Sequence, residues 1–160
     1  MATSSFLQLE GIDGEATDKD HKKWIEIMGF SCGVSQPMSS PGGVGGRGAA
    51  RADFQALSTT QYVDSSTVDQ QMFCASGAHI ANATLDVCQE TGKKSTYWQY
   101  KFTNLMIQSV SISGGGSERP VMNCSYVYDT IEVSYAPVSD KGDAGNLKGK
   151  KWSLVESVDA

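Results

Sequence analysis

Residues 80–90 read IANATLDVCQE, and this stretch decides the fold class. Its small and apolar side chains at Ala81, Ala83, Leu85 and Val87 alternate with neighbours that are mostly polar. A period of two predicts a β-strand with one buried face. Because a slip of one residue would expose the whole apolar row, the register of this strand is strongly specified.

Other short stretches are rich in Val, Ile, Thr, Tyr, Phe and Trp and are separated by clusters of Gly, Ser, Asp and Pro, which is typical of antiparallel β architecture. We predict strands near residues 6–10, 24–34, 52–57, 80–90, 97–113, 120–128, 130–136 and 150–155. Within 24–34 the apolar parity changes, which indicates a bulge near Gly29 or burial on both faces, and both fit a strand that bends between sheets. Residues 113–117 and 140–149 are expected to connect hairpins.

Residues 67–76 form the one predicted helix. A serine at position 65 or 66 would cap its start, Asp69 would complete a capping box with Ser66, and Gly77 suits its end. The apolar side chains that share one helical face are those of Val68, Met72 and Phe73. We therefore expect a structural helix that covers an open face or edge of the sheet.

Length and charge narrow the class of protein. The chain of 160 residues fits one domain, 1–160, which could bury roughly 70% of the surface that its unfolded form exposes. Its formal charge is −5 without a basic stripe, so nucleic acid and anionic membranes are poor partners. Residues 1–6 lack the Lys or Arg of a Sec-type signal peptide, and no apolar run of about 18 residues could span a membrane. We expect the chain to fold in the cytoplasm and to need another export route.

Side chains that carry enzyme chemistry are sparse. The widely spaced cysteines, which lack a C-x-x-C pair and which we interpret as reduced thiols, are Cys32, Cys74, Cys88 and Cys124. The only two histidines, His21 and His79, are too few for most metal sites and are interpreted as surface or capping residues. The acidic residues in 13–20 lack the calcium-loop frame and indicate a solvated turn.

We therefore expect no nucleophile elbow, no catalytic site, no metal and no cofactor, and we interpret the chain as a protein that is not an enzyme. A Cys–His pair brought together in space is the remaining enzymatic alternative. A long Gly-rich stretch, residues 36–50 (QPMSSPGGVGGRGAA), cannot bury much apolar area. Its composition fits a flexible insertion and a docking loop equally well.

Several motifs in order along the chain resemble the hemolysin-coregulated protein (Hcp) family of bacterial type VI secretion. The N-terminal run LEGIDGEATDKDHKKWIEI, residues 9–27, resembles the family's strand, G-x-x-G-E turn, acidic loop and I-E-I strand. The further matching segments are FSCGVSQP (30–37), RADF (51–54), MFCASGAHI (72–80), YKFTNLMI (100–107), IEVSY (131–135) and WSL (152–154). The likeness covers nearly the whole chain.

This resemblance implies a mainly β fold, a small antiparallel β-barrel of two sheets with one flanking α-helix. It also implies a homo-hexameric ring that stacks head-to-tail into a hollow tube, is expelled with a spike protein by a contractile sheath, and carries effector proteins in its lumen. Such a protein is cytoplasmic before firing and is then secreted without a cleaved signal peptide, with no nucleic acid partner and no membrane insertion.

Two groups of residues are candidates for these contacts. The loop 37–51 is expected to contribute to ring stacking, and its candidate residues are Pro37, Ser39, Ser40 and Arg47. Ser31 and the polar face of 80–90 are candidate lumen or effector contacts, with ordinary solvent exposure left open. The alternative function is a monomeric β-barrel that binds a small ligand.

Overall fold

The computed structural model describes residues 2–38, 51–91, 93–139, 145–156 and 158–159. The elements in chain order are β1 Thr3–Leu9, β2 Ile25–Ile27, β3 Gly29–Ser31, β4 Val34–Ser35, β5 Asp53–Phe54, β6 Leu57–Tyr62, α1 Ser65–Ser76, β7 His79–Thr91, β8 Lys93–Ser113, β9 Val121–Val127, β10 Thr130–Tyr135, β11 Lys148–Ser153 and β12 Val158–Asp159. Every strand ladder between them is antiparallel. The predicted class, mainly antiparallel β with one flanking helix among the described residues, is confirmed.

The strands form a 10-stranded sheet and a separate two-stranded sheet, β4–β5. One path through the large sheet runs β12-β11-β10-β8-β7-β1-β2, and a second leaves β8 for β9, β6 and β3. The 21-residue strand β8 serves both paths, because its first half pairs with β10 and its second half with β9. Since β2 and β3 are separated by Met28 alone, the two paths meet again and give the connectivity of a small barrel.

The predicted bend within 24–34 lies at Met28. Strand β2 pairs with β1, whereas β3 pairs with β6, and the Met28 amide donates to the Thr60 carbonyl at 2.7 Å. The strand predicted over 52–57 is wrong in extent, because β5 is only two residues long and β6 begins at Leu57. Strand β6 was missed because Thr59 and Gln61, although polar, are its inward side chains at 2% and 0% exposure.

Strand β7 follows the predicted alternation only in part. Ala83, Leu85 and Val87 are buried, but Ala81 is exposed, since the ladder with β1 ends at Ala83. The opposite face is not open as predicted, because Asp86 is buried there. The largest side chains of the main core are those of Leu7, Leu9, Ile25, Leu57, Ile80, Leu85, Phe102, Leu105, Met122 and Tyr126.

Helix α1 begins two residues earlier than predicted and faces the other way. Its N-cap is Asp64, whose capping box is completed by Thr67, and Gly77 ends it in the left-handed conformation with φ 68°. Val68 and Met72 are 63% and 59% exposed, so the predicted apolar contact face is wrong for these two residues, whereas Phe73 packs partly buried against the core.

The helix instead buries polar side chains. Gln70 is fully buried and accepts a hydrogen bond from the Tyr126 hydroxyl at 2.6 Å. Its amide nitrogen donates to Ser66 Oγ at 3.0 Å. This inversion follows from Tyr126, a core residue whose buried hydroxyl needs an acceptor.

The predicted hairpin connections are confirmed in position. Residues 114–120 join β8 to β9. Strand β10 ends at Tyr135 and β11 begins at Lys148, so the second connection ends two residues before the predicted end at 149, and residues 140–144 of the predicted loop lie outside the described residues. Both connections join neighbouring antiparallel strands.

Candidate assembly surfaces

The candidate stacking residues lie only partly within the described chain. Pro37 is exposed, whereas Ser39, Ser40 and Arg47 lie outside the described residues. At the far end of the loop, Arg51 Nη2 donates to the Leu154 carbonyl at 2.5 Å. This hydrogen bond holds the end of the loop next to the turn that follows β11.

The candidate lumen residue Ser31 is exposed at the end of β3, opposite Ser58. Residues 29–33 read GFSCG, which fits the G-x-S-x-G spacing that we did not expect to find. The local structure is not that of a nucleophile elbow, because β3 leads towards β4 rather than into a helix. His79 is hydrogen-bonded to Asn104 at 2.9 Å and so is engaged elsewhere.

The polar face of β7 is divided into an open and a covered part. The open part borders a shallow pocket of about 300 Å³. Four side chains that lie side by side across neighbouring strands line it: Thr84, Lys101, Glu132 and Lys151. The covered part contains Asp86 and Cys88, both buried. Only the first part is available to a partner.

A buried polar network covers the part of the β7 polar face that contains Asp86 and Cys88. His21 is 4% exposed, so its interpretation as a surface or capping residue is wrong. Its Nδ1 lies 2.7 Å from Asp18 Oδ2 and its Nε2 lies 2.9 Å from Asp86 Oδ2. Lys94 Nζ donates to Asp18 Oδ1 at 2.7 Å, and Gln99 Nε2 donates to Asp86 Oδ1 at 2.7 Å. The hydrogen bonds from Lys94 and then His21 lower the pKa of Asp18 to about 2.

This network pins the loop between β1 and β2 onto the sheet. The imidazole of His21 stacks on Phe6 at 4.5 Å between ring centroids, and Trp24 meets it edge-on at 4.7 Å. Both ring nitrogens of His21 thus lie within hydrogen-bond distance of a carboxylate oxygen, one from the loop and one from β7. The acidic turn predicted to be solvated is therefore anchored at Asp18.

The structure does bring one cysteine to a histidine, with Cys88 Sγ 3.8 Å from His21 Nε2. That nitrogen already faces Asp86, and Cys88 is 1% exposed, so the pair offers neither a free base nor access to a substrate. Burial also raises the pKa of the thiols of Cys32, Cys88 and Cys124, the last to about 11. All four cysteines are free thiols. These observations favour a packing role over a nucleophilic one.

Within the part of the chain that the structure describes, no group of three or more His, Cys, Asp and Glu side chains is arranged to hold a metal ion. No helix in that part is long and apolar enough to cross a membrane.

A partly exposed aromatic surface extends the core beyond the barrel, on the inner face of β8, β10 and β11. Trp98 contacts Tyr100 and Tyr135 at 5.5 and 6.3 Å between ring centroids, and Phe54 lies 6.3 Å from Trp152. Tyr135 is 50% exposed. A single chain thus leaves part of this aromatic surface open to a partner.

Comparison with known proteins decides the family. The family described as "Type VI secretion system effector, Hcp" matches residues 6–135. A curated relative, protein hcp1 of Pseudomonas aeruginosa, is 33% identical over 164 residues that cover 100% of both chains. The chain belongs to the Hcp family.

Solved structures agree with this assignment. A type six secretion system protein superposes on this Hcp chain with a TM-score of 0.95 and 30% identity, covering 99% of this chain and 100% of the other. Hcp1 from Salmonella typhimurium superposes with a TM-score of 0.82 and 25% identity, covering 100% of both. This chain is therefore an Hcp-family protein of type VI secretion, as its sequence motifs predicted, and Hcp proteins are secreted by that system.

Proposed function

We propose that this Hcp chain is the structural subunit of a type VI secretion tube. Six copies form a ring, rings stack head-to-tail, and a contractile sheath expels the resulting hollow tube and its spike protein. The tube carries effector proteins in its lumen and performs no catalysis itself. Export by this route needs no cleaved signal peptide.

The open aromatic surface of β8, β10 and β11 carries this proposal. A monomer that exposes half of Tyr135 beside Trp98 gains stability when another chain covers these rings. The interior of one barrel offers no channel, because Leu7, Phe102 and Tyr126 fill it at 1% exposure or less. A lumen wide enough for a protein must therefore lie between copies.

Light scattering on the eluted protein, with electron microscopy of the same fraction, tests this function. Six copies of the 17.1-kDa chain give about 103 kDa, and ring-shaped particles are expected. A monomer at every concentration would contradict the proposal and would favour the alternative, a small-ligand-binding barrel.

Stacking has its own test in the loop 37–51. Head-to-tail contact between rings is heterologous and does not close, so it produces filaments. Replacing residues 39–50 by a short Gly–Ser linker is expected to leave rings intact and to abolish tubes. Normal tubes from this variant would exclude residues 39–50, and with them Ser39, Ser40 and Arg47, from stacking.

A further inference from the structure

Strand β11 carries an unusual concentration of positive charge for a chain of net charge −5. Its residues Lys148, Lys150 and Lys151 are all exposed. Among the described residues, β12 pairs only with Trp152 and Ser153, so the lysine-bearing half of this sheet edge has no ladder partner there. One end of the sheet therefore presents a basic strand, which we call the basic edge (Lys148–Lys151).

Apolar side chains accompany these lysines. Tyr135 pairs with Lys148 across β10 and β11 and is 50% exposed, and Leu147 just before the strand is 43% exposed. The basic edge is thus amphipathic, since it combines ammonium groups with apolar surface that water does not favour.

The other end of the sheet presents a groove of about 350 Å³ beside β2 and the start of α1. Its apolar lining includes Met28 and Tyr62, which are 54% and 44% exposed. Its charged lining comprises Glu15, Glu26, Asp64 and Arg119. We call these four residues, together with Met28 and Tyr62, the acidic groove.

Negative charge prevails in this groove. Arg119 lies over the Tyr62 ring at 5.5 Å and 4.0 Å from Glu15, so a single guanidinium faces three carboxylates. Glu26 and Asp64 have no cationic partner among the ion pairs of the described residues. The groove has room and charge for a further cation.

The topology places the two surfaces at opposite ends of one sheet. The path β12-β11-β10-β8-β7-β1-β2 ends with the basic edge on one side and with β2, which lines the acidic groove, on the other. A heterologous contact requires two different complementary surfaces on one subunit, and repeating it round an axis closes a ring. Charge complementarity of this kind also fixes the register between partners and suppresses wrong ones.

We propose that the basic edge of one copy docks into the acidic groove of the next copy around the ring. The lysines of the edge pair with Glu15 and Glu26, while Tyr135, which lies beside the edge on β10, packs near Met28 of the groove. This inference rests on the proposed ring and names the residues that close it.

Charge reversal tests the contact from both sides. The variants are K148E/K150E on the edge, E15K/E26K in the groove, and the fourfold combination of these substitutions. The N-cap Asp64 is left intact because its loss would weaken α1. A matched control for the edge variant, K19E/K93E, makes the same change in net charge as K148E/K150E at two exposed lysines outside both surfaces.

Light scattering over a concentration series, with circular dichroism to check the fold, gives the result. Like charges at the contact are expected to raise the concentration for half-assembly at least about tenfold in each double variant. The fourfold variant is expected to recover most of this loss, and the control to assemble as the wild type does. Added salt should weaken wild-type rings, since exposed charges are screened within about 10 Å at 0.1 M ionic strength.

The outcomes separate this contact from the ring itself. Wild-type rings with unchanged assembly in folded double variants would overturn the docking proposal and leave the tube function standing. Loss of assembly in the double variants without recovery in the fourfold variant would also overturn the specific pairing. A wild type that never forms rings would remove both proposals together.

Discussion

Replacing His21 by alanine is expected to lower the free energy of unfolding by about 3 kcal/mol. The substitution leaves the Asp86 carboxylate, whose side chain is 8% exposed, with Gln99 as its one remaining side-chain hydrogen-bond donor among the described contacts. Removing one partner of a buried pair leaves the remaining carboxylate uncompensated, which costs about 3–5 kcal/mol. The lower end applies here because Lys94 still compensates Asp18 and the Gln99 amide still serves Asp86.

Urea unfolding at one fixed protein concentration, followed by tryptophan fluorescence, measures this effect. Trp24 reports locally, because its ring meets the imidazole edge-on at 4.7 Å. The matched control is H79A, since His79 is exposed and its one side-chain hydrogen bond among the described residues is to Asn104, and a loss of at most about 1 kcal/mol is expected. Assembly must be held constant, because oligomers shift apparent stability with concentration.

A double variant tests the cause. With Asp86→Asn added to His21→Ala, no buried charge is stranded, so we expect a coupling energy of at least about 1 kcal/mol between the two sites. A loss below about 1 kcal/mol for His21→Ala, or strictly additive losses, would refute a stabilising contact between His21 and Asp86.

Three further predictions concern single residues. The pKa of Asp18 is lowered from 3.8 to about 2, so the stability that its ionised carboxylate contributes is full above about pH 4 and is lost as the pH falls towards 2. Asp18→Asn should remove this part of the acid unfolding curve, measured by Trp fluorescence. An unchanged curve would contradict the prediction. Gln70→Ala should cost about 1–3 kcal/mol in urea unfolding, since the buried Tyr126 hydroxyl loses its acceptor, whereas Val68→Ala on the exposed face of the same helix should change stability by less than about 0.5 kcal/mol. Cys124, with its pKa raised to about 11 and 3% exposure, should react with iodoacetamide at neutral pH far more slowly in the native protein than in urea, and equal rates would show that it is accessible.

Local patterns determined much of the fold. The alternation at Ala83, Leu85 and Val87 predicted a strand with a buried row, and Gly77 predicted the end of the helix, because both depend on neighbours in sequence. The bend near Gly29 was also visible, since a change of apolar parity marks the point where a strand changes its partners. The ordered motifs along the chain predicted the family.

Tertiary contacts decided the rest. His21 is buried because it meets Asp86, which lies 65 residues away, and no local pattern announces that pairing. The helix turns its polar face inward because the Tyr126 hydroxyl on β9, 56 residues from Gln70, requires an acceptor in the core. The basic edge and the acidic groove are likewise separate stretches of sequence, and only strand order places them at opposite ends of one sheet. The sequence by itself thus determined many of the strands, the helix end and the family, whereas folding decided which polar groups are buried and which surfaces stay exposed, because those depend on residues that are distant in sequence.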